Sequence, residues 1–210
     1  MKAQEIVSPD GIETLRLADR PIAEPGHRKV QVRINASSIN YRDLGTISDP
    51  GPSGIPYPTT PNSDVAGEVT AVVNRVTRFK VGDWVMGTFM QNWVDGPMTP
   101  TTVVSALGGS VDGLLTAYAV LDEDGLVLTP SHLSDTEAVT LPCAAVTAWH
   151  SLVEVGGPGT MERSITATRI AGTIGVIGTL PQGSVNPMSF MQKDYVSEGS
   201  MLATAICLRI

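Results

Sequence analysis

Between residues 28 and 36 hydrophobic and polar side chains alternate: Val30, Val32 and Ile34 fall on one face, Lys29, Gln31, Arg33 and Asn35 on the other. That is the two-residue period of a half-buried strand. Similar runs predict strands over 65–73, 83–89, 117–121 and 126–129, with Gly, Pro and Asp between them. Several short strands at close spacing, with almost no helical pattern, point to a barrel or a sandwich. Pro50, Pro52, Pro56, Pro58 and Pro61 crowd residues 50–61; they remove backbone donors and stop helix, which predicts a rigid loop. Helical signals gather later. Ser134 and Glu137 stand at capping-box spacing. Pro142 should break or restart that helix, and Gly156 with Gly157 suits its C-terminus. Residues Thr173 to Leu180 are apolar on both faces, as in an interior parallel strand.

Composition narrows the class. The chain of 210 residues can bury one good core, or one and a half domains. A net charge of −7 argues against a nucleic-acid surface, which would want a basic stripe. No apolar run approaches the roughly 20 residues of a membrane helix. The opening MKAQEIVSPDG has no apolar core of a secretory signal. Cys143 and Cys207 are the only cysteines, too few for a disulfide framework or a structural zinc knuckle, so a reducing, cytoplasmic setting is expected.

Four segments carry a family resemblance: NYRDL (40–44), PNSDVAGEVTAVV (61–73), FKVGDWVMG (79–87) and LPCAAVTAWHSL (141–152). Together and in this order they resemble the medium-chain dehydrogenase/reductase superfamily, closest to its zinc-independent, quinone-reductase-like branch. The resemblance runs from Met1 to about Gly157 and resumes near Ser164. It implies a mainly β fold with some α: a GroES-like β-barrel over 1–125 as the substrate domain, and a truncated remnant of a Rossmann α/β nucleotide-binding domain over 126–210. It implies an oxidoreductase that transfers hydride between NADPH or NADH and a carbonyl, enone or quinone.

The resemblance also supplies candidate residues. Asn40, Tyr41 and Asp43 match the segment that lies near the nicotinamide: Asn40 to donate its amide to a substrate oxygen, Tyr41 to position the ring or donate its phenol, Asp43 to orient neighbours or a water. Asn40 and Asp43 are equally the residue types that cap a short helix. Ser63 and Asp64 follow the proline-rich loop, either at the cleft or in a turn. Trp93 matches a pocket-lining tryptophan, to stack on a flat substrate or simply to pack; Tyr57 is a weaker candidate. Thr147 and Gly178 would touch the cofactor, and His150 reads as structural.

Zinc-using relatives present Cys, His and Cys to the metal; the matching positions here are Asn40, Ser63 and Cys143. One soft ligand of three is not a zinc site, so no metal is expected. A dinucleotide site wants a glycine-rich turn between strand and helix, but no G-x-G-x-x-G occurs, and GTIGVIG (172–178) has a different spacing. The stretch from Gly159 to Arg169 is far shorter than the roughly 30 residues of one βαβ unit. An internal deletion with a C-terminal truncation is the expectation, a naturally short member the alternative. The rival to an impaired enzyme is an inert remnant or a non-catalytic barrel module. Unpaired apolar strands over 173–206 predict a homodimer or other self-association.

Overall fold

The computed structural model describes residues 1–48, 55–73, 75–95 and 98–147, and the backbone of 173–176, 196–197 and 206–209. It divides into two units, Met1–Cys143 and Ala144–Ile210. The first is mainly β. Its main sheet holds β3 (Lys29–Ser38), β4 (Asp64–Val72), β5 (Trp84–Gly87), β6 (Tyr118–Asp122) and β7 (Leu126–Leu128) in the order β6-β3-β4-β5-β7. Every pairing is antiparallel. The outermost strands β6 and β7 are separated in the chain only by the short turn Glu123–Gly125. A sheet whose two ends are joined so closely must roll until its edges approach, which is the barrel geometry. The residues from Leu126 to Cys143 therefore pack with the first unit, beyond the boundary at 125 that resemblance suggested.

The alternation in β3 sets the core. Val30 and Val32 are buried and meet Val65 and Val69 of β4, Val85 of β5, Leu121 and Leu126, with Phe79, Leu107 and Leu114 closing the cluster. Gln31, on the polar face, is buried as well. It donates to the Ala23 carbonyl (2.9 Å) and accepts from the Thr70 hydroxyl (2.8 Å), so its amide is satisfied. The other face of the sheet is covered by α3 (Asp135–Ala138), which packs Ala138 and Val139 on Ala66 and Met86. The Ser134–Glu137 capping box is present on both sides, and the helix stops before the π-turn Leu141–Ala145 that contains Pro142.

Three elements lacked a clear pattern. A hairpin, β1 (Lys2–Ile6) with β2 (Leu15–Asp19), is fastened to the barrel by paired amides of Ile6 and Thr59. α1 (Tyr41–Ser48) follows β3, and α2 (Pro100–Val103) is a single capped turn. The described prolines 56, 58 and 61 lie in non-helical chain, as expected of a rigid loop. Pro50 and Pro52 lie outside the described residues.

In the second unit, β8 (Thr173–Val176), β9 (Val196–Ser197) and β10 (Ile206–Arg209) form a sheet in the order β8-β10-β9. Both pairings are antiparallel. The interior parallel strand expected at 173–180 is thus corrected: its described part is an antiparallel strand at the end of this sheet. Two-sided apolarity signals burial of both faces and carries no information about a neighbour's direction. His150, Gly156 and Gly157 lie outside the described residues.

Candidate functional site

The strand-to-helix corner after β3 and the entry to β4 meet at one carboxylate. Asn62 has φ 68, a left-handed conformation asparagine tolerates better than most residues. It turns the proline-rich segment into β4, and the segment is pinned by backbone hydrogen bonds from the N–H of Gly113 to the Thr60 carbonyl, of Leu114 to that of Asn62 and of Leu115 to that of Pro61. Gly113 must be glycine here, because a Cβ would stand 2.3 Å from the Pro61 and Asn62 carbonyl oxygens. The result places Asp64 at the first position of β4, wholly buried at 0% exposure.

Asp64 accepts from three neutral side chains: Asn40 Nδ2 (2.9 Å) and Ser38 Oγ (3.0 Å) on Oδ2, and Ser63 Oγ (3.2 Å) on Oδ1. Burial pushes its carboxyl pKa up, and these hydrogen bonds pull it back. The other acid of the corner, Asp43, is 1% exposed. Its Oδ2 accepts the backbone N–H of Asn40 (2.7 Å), while its own N–H reaches the Asn40 carbonyl (3.0 Å). Burial raises the Asp43 pKa too, opposed by the Asn40 amide and by Arg42. So the two capping candidates divide the work. Asp43 caps the start of α1, and the Asn40 side chain points instead to Asp64.

Helix α1 is amphipathic in the inverse sense. Its buried residues are Asp43, Thr46 and Ile47. Tyr41 (69%) and Leu44 (50%) are exposed, and Ile39 beside them is 77% exposed. Arg42 explains how a polar face can be buried. Its guanidinium donates to the carbonyls of Leu107 (2.8 Å) and Gly108 (3.3 Å), lies 4.8 Å over the Phe89 ring, and stands 3.8 Å from Asp43 Oδ1. Desolvation lowers its pKa, with Asp43 opposing.

The structure therefore brings Asn40, Asp43 and Ser63 together around Asp64, with Tyr41 next to them in the chain. Ser63 is wholly buried, its hydroxyl engaged by Asp64. Trp93 is half-buried in the loop after Met90, its N–H on the Met90 carbonyl (3.3 Å). Thr147 is buried and belongs to the second unit. Gly178 lies outside the described residues. Sequence reasoning missed Ser38 and Arg42, and it left Asp64 open between the cleft and a turn. The signal for Asp64 was the alternation of β4, which begins one residue earlier than 65.

Of the positions matching zinc ligands, Asn40 offers an amide, Ser63 a buried hydroxyl and Cys143 a buried thiol. Burial first, then the Asp64 charge, pushes the Cys143 thiol up to about 12. Among the described residues no group of three His, Cys, Asp or Glu could hold a metal ion. A cavity of about 670 Å³ lies elsewhere, along β6, lined among others by Gln31, Thr60, Gln91, Leu107 and Leu121. Its charged rim is paired, Arg20 with Asp112 (2.7 Å) and Lys29 with Asp122 (2.8 Å).

Residues 26–131 match the alcohol dehydrogenase GroES-like domain. The chain belongs to the medium-chain dehydrogenase/reductase superfamily. Its first unit is thus a GroES-like barrel, as the family resemblance implied. A zinc-type alcohol dehydrogenase-like protein of Schizosaccharomyces pombe is 44% identical over 124 residues, 59% of this chain and 36% of that protein. A 2-methylene-furan-3-one reductase of Solanum lycopersicum is 32% identical over 162 residues, 74% of this chain and 38% of that protein. The chain thus spans less than half the length of these relatives. Among solved structures, a putative alcohol dehydrogenase from Sinorhizobium meliloti superposes with a TM-score of 0.62 at 35% identity, over 86% of this chain and 52% of that one. No helix among the described residues of this superfamily member is long and apolar enough to cross a membrane.

Proposed function

We propose that this chain belongs to the zinc-independent, quinone-reductase-like branch. Its first unit is then the substrate side of an NADPH- or NADH-dependent oxidoreductase for a carbonyl, enone or quinone. The observation that carries this reading is Asn40, a neutral amide donor held by Asp64 beside the exposed apolar surface of Ile39, Tyr41 and Leu44. When bound, the nicotinamide supplies hydride. As hydride reaches the substrate carbon, negative charge gathers on its oxygen, and a fixed donor at that oxygen lowers the barrier. The second Nδ2 hydrogen of Asn40 fills that role. Tyr41 presents an exposed ring for a flat substrate, and Trp93 is a further wall. Asp43 acts one step back by fixing the Asn40 backbone, and Ser63 by holding Asp64.

The donor set supports zinc independence. Zinc sites are built from several thiolate and imidazole ligands, whereas the matched positions carry an amide, a hydroxyl and a single thiol. On the cofactor side, Thr147 and Gly178 are the residues assigned, and no G-x-G-x-x-G accompanies them in the 210 residues, which favours impaired dinucleotide binding and turnover. Self-association through 173–206 and a cytoplasmic location complete the proposal. A monodisperse monomer in sizing chromatography would count against the former.

The test is an NADPH titration read by tryptophan quenching, with Trp84, Trp93 and Trp149 as reporters. A saturable change, followed by NADPH consumption on adding a quinone that falls by about a hundredfold in Asn40→Ala, is expected. No saturable change at millimolar NADPH would remove the enzyme reading. A second reading, an inert remnant or non-catalytic barrel module, is favoured by one specific observation: no G-x-G-x-x-G occurs in the 210 residues. The same titration separates the two.

A further inference from the structure

An asparagine amide can turn about its last side-chain bond and exchange donor for acceptor at little cost. For Asn40 that exchange decides whether a substrate oxygen meets an N–H or a lone pair. We propose that Asp64 is the positioning residue that fixes the Asn40 amide with its donor side toward the substrate; this rests on the reading of Asn40 given above.

The argument is one of hydrogen-bond inventory. An ionised carboxylate only accepts. Facing Asp64 Oδ2 at 2.9 Å, Asn40 must present Nδ2; turned over, it would set Oδ1 against the carboxylate, oxygen to oxygen. One Nδ2 hydrogen is thereby committed. The other, and Oδ1, make no hydrogen bond among the described residues. The backbone of Asn40 is held independently by Asp43, so both ends of the residue are fixed. Asp64 is itself held by Ser38 and Ser63, and Ser38 also donates to the Val139 carbonyl (3.2 Å). The charged groups facing Asp64 are Arg42 and Asp43 from α1, with the Cys143 thiol from the turn after α3. No cation forms an ion pair with Asp64 among the described residues. Burying a carboxylate without a paired cation disfavours its charged form, and an apolar side chain would fill the first position of β4 without that cost. Control of Asn40 is what the acid adds.

The experiment is a double-mutant cycle on the full chain, with quinone reduction as one readout and the 15N-labelled side-chain amide of Asn40 as the other. The amide signal is identified by its loss in Asn40→Ala. Asp64→Ala removes the acceptor and is expected to lower kcat by about tenfold to a hundredfold, with KM for the quinone nearly unchanged. Asp64→Asn keeps the shape and a carbonyl acceptor but adds an N–H that a turned-over Asn40 can accept, so it should recover only part of the loss. In the Asn40→Ala background, Asp64→Ala should change kcat by no more than about twofold, since the two act as one unit. Equal losses in both backgrounds, or Asp64→Asn as active as the parent, overturn the proposal.

The amide spectrum separates this from the wider reading. An Asn40 signal that is slow to exchange in the parent but fast in Asp64→Ala supports positioning even where no turnover is seen; in that event only the substrate reading of Asn40 falls. Identical Asn40 signals in the parent, Asp64→Ala and Asp64→Asn overturn positioning whatever the activity. Should Asp64→Ala fail to fold, Asp64→Val takes its place in the same cycle.

Discussion

Two corners of the barrel each bury a carboxylate, and they treat it in opposite ways. At the β6–β7 turn, Glu123 is 2% exposed. It accepts from Arg28 Nε (2.7 Å) and from the backbone N–H groups of Thr77 (3.0 Å) and Arg78 (3.3 Å). These donors, led by the Thr77 amide, pull its pKa below the ordinary 4.5. At the β4 entry, Asp64 accepts only from neutral side chains, and burial pushes its pKa above the ordinary 3.8. A site that lowers a carboxyl pKa stabilises the fold through the charged form; a site that raises it does the reverse. Glu123 is therefore a fastener that joins the 77–78 segment to the turn closing the sheet. Asp64 is a charge kept at some expense beside residues of the candidate site.

The contrast can be broken most forcefully at Glu123. Glu123→Leu leaves Arg28 and two backbone N–H groups without their acceptor, and should destabilise the first unit by about 3 kcal/mol, measured by urea unfolding of the full chain. If the loss is below about 1 kcal/mol, the corner is not the fastener described.

The acid limb sharpens the same point. Because the folded pKa of Glu123 is lowered, its contribution is fully present above 4.5 and disappears as pH falls through the folded value. Stability of Glu123→Gln should accordingly depend less on pH below 4.5 than that of the parent. Asp64 has the opposite sign: its charged form costs stability as pH rises above 3.8. Asp64→Asn should flatten that rise-dependent cost, and pH-resolved melting curves of both variants read the two signs side by side.

At the helix start, Asp43→Ala removes the cap on the Asn40 amide and should cost about 1 kcal/mol, with a parallel loss of quinone reduction. A full loss of activity without any stability change would instead assign Asp43 to the substrate. The smallest effect is expected at Asp64→Asn, within about 1 kcal/mol of the parent at neutral pH by thermal melting. A large destabilisation there would make Asp64 a second fastener and erase the contrast.

The helix patterns show where sequence reasoning holds and where it stops. The Ser134–Glu137 box was legible because a cap is local: donor and acceptor are three residues apart. The strands β3 to β7 were legible because alternation reports a buried face. α1 was not, because its buried face carries Asp43 and Thr46 and its exposed face Tyr41 and Leu44, the inverse of the usual amphipathic pattern. Arg42 makes that inversion affordable through the Leu107 and Gly108 carbonyls, and those partners are 65 and 66 residues away. The hairpin β1–β2 was silent because Leu17 is exposed and only Ala3 and Ile6 reach the core of its first strand.

By itself the order of residues determined the run of short strands, the likeness to the superfamily and the nearness of Asn40, Tyr41 and Asp43 in the chain, because periodicity, caps and short motifs act between near neighbours. Only the tertiary structure decided that the Asn40 side chain faces Asp64 while Asp43 turns back to the helix start, and that Glu123 meets Arg28. Those choices depend on groups brought together across tens of residues, where burial sets which carboxylate finds a cation and which is left with neutral donors.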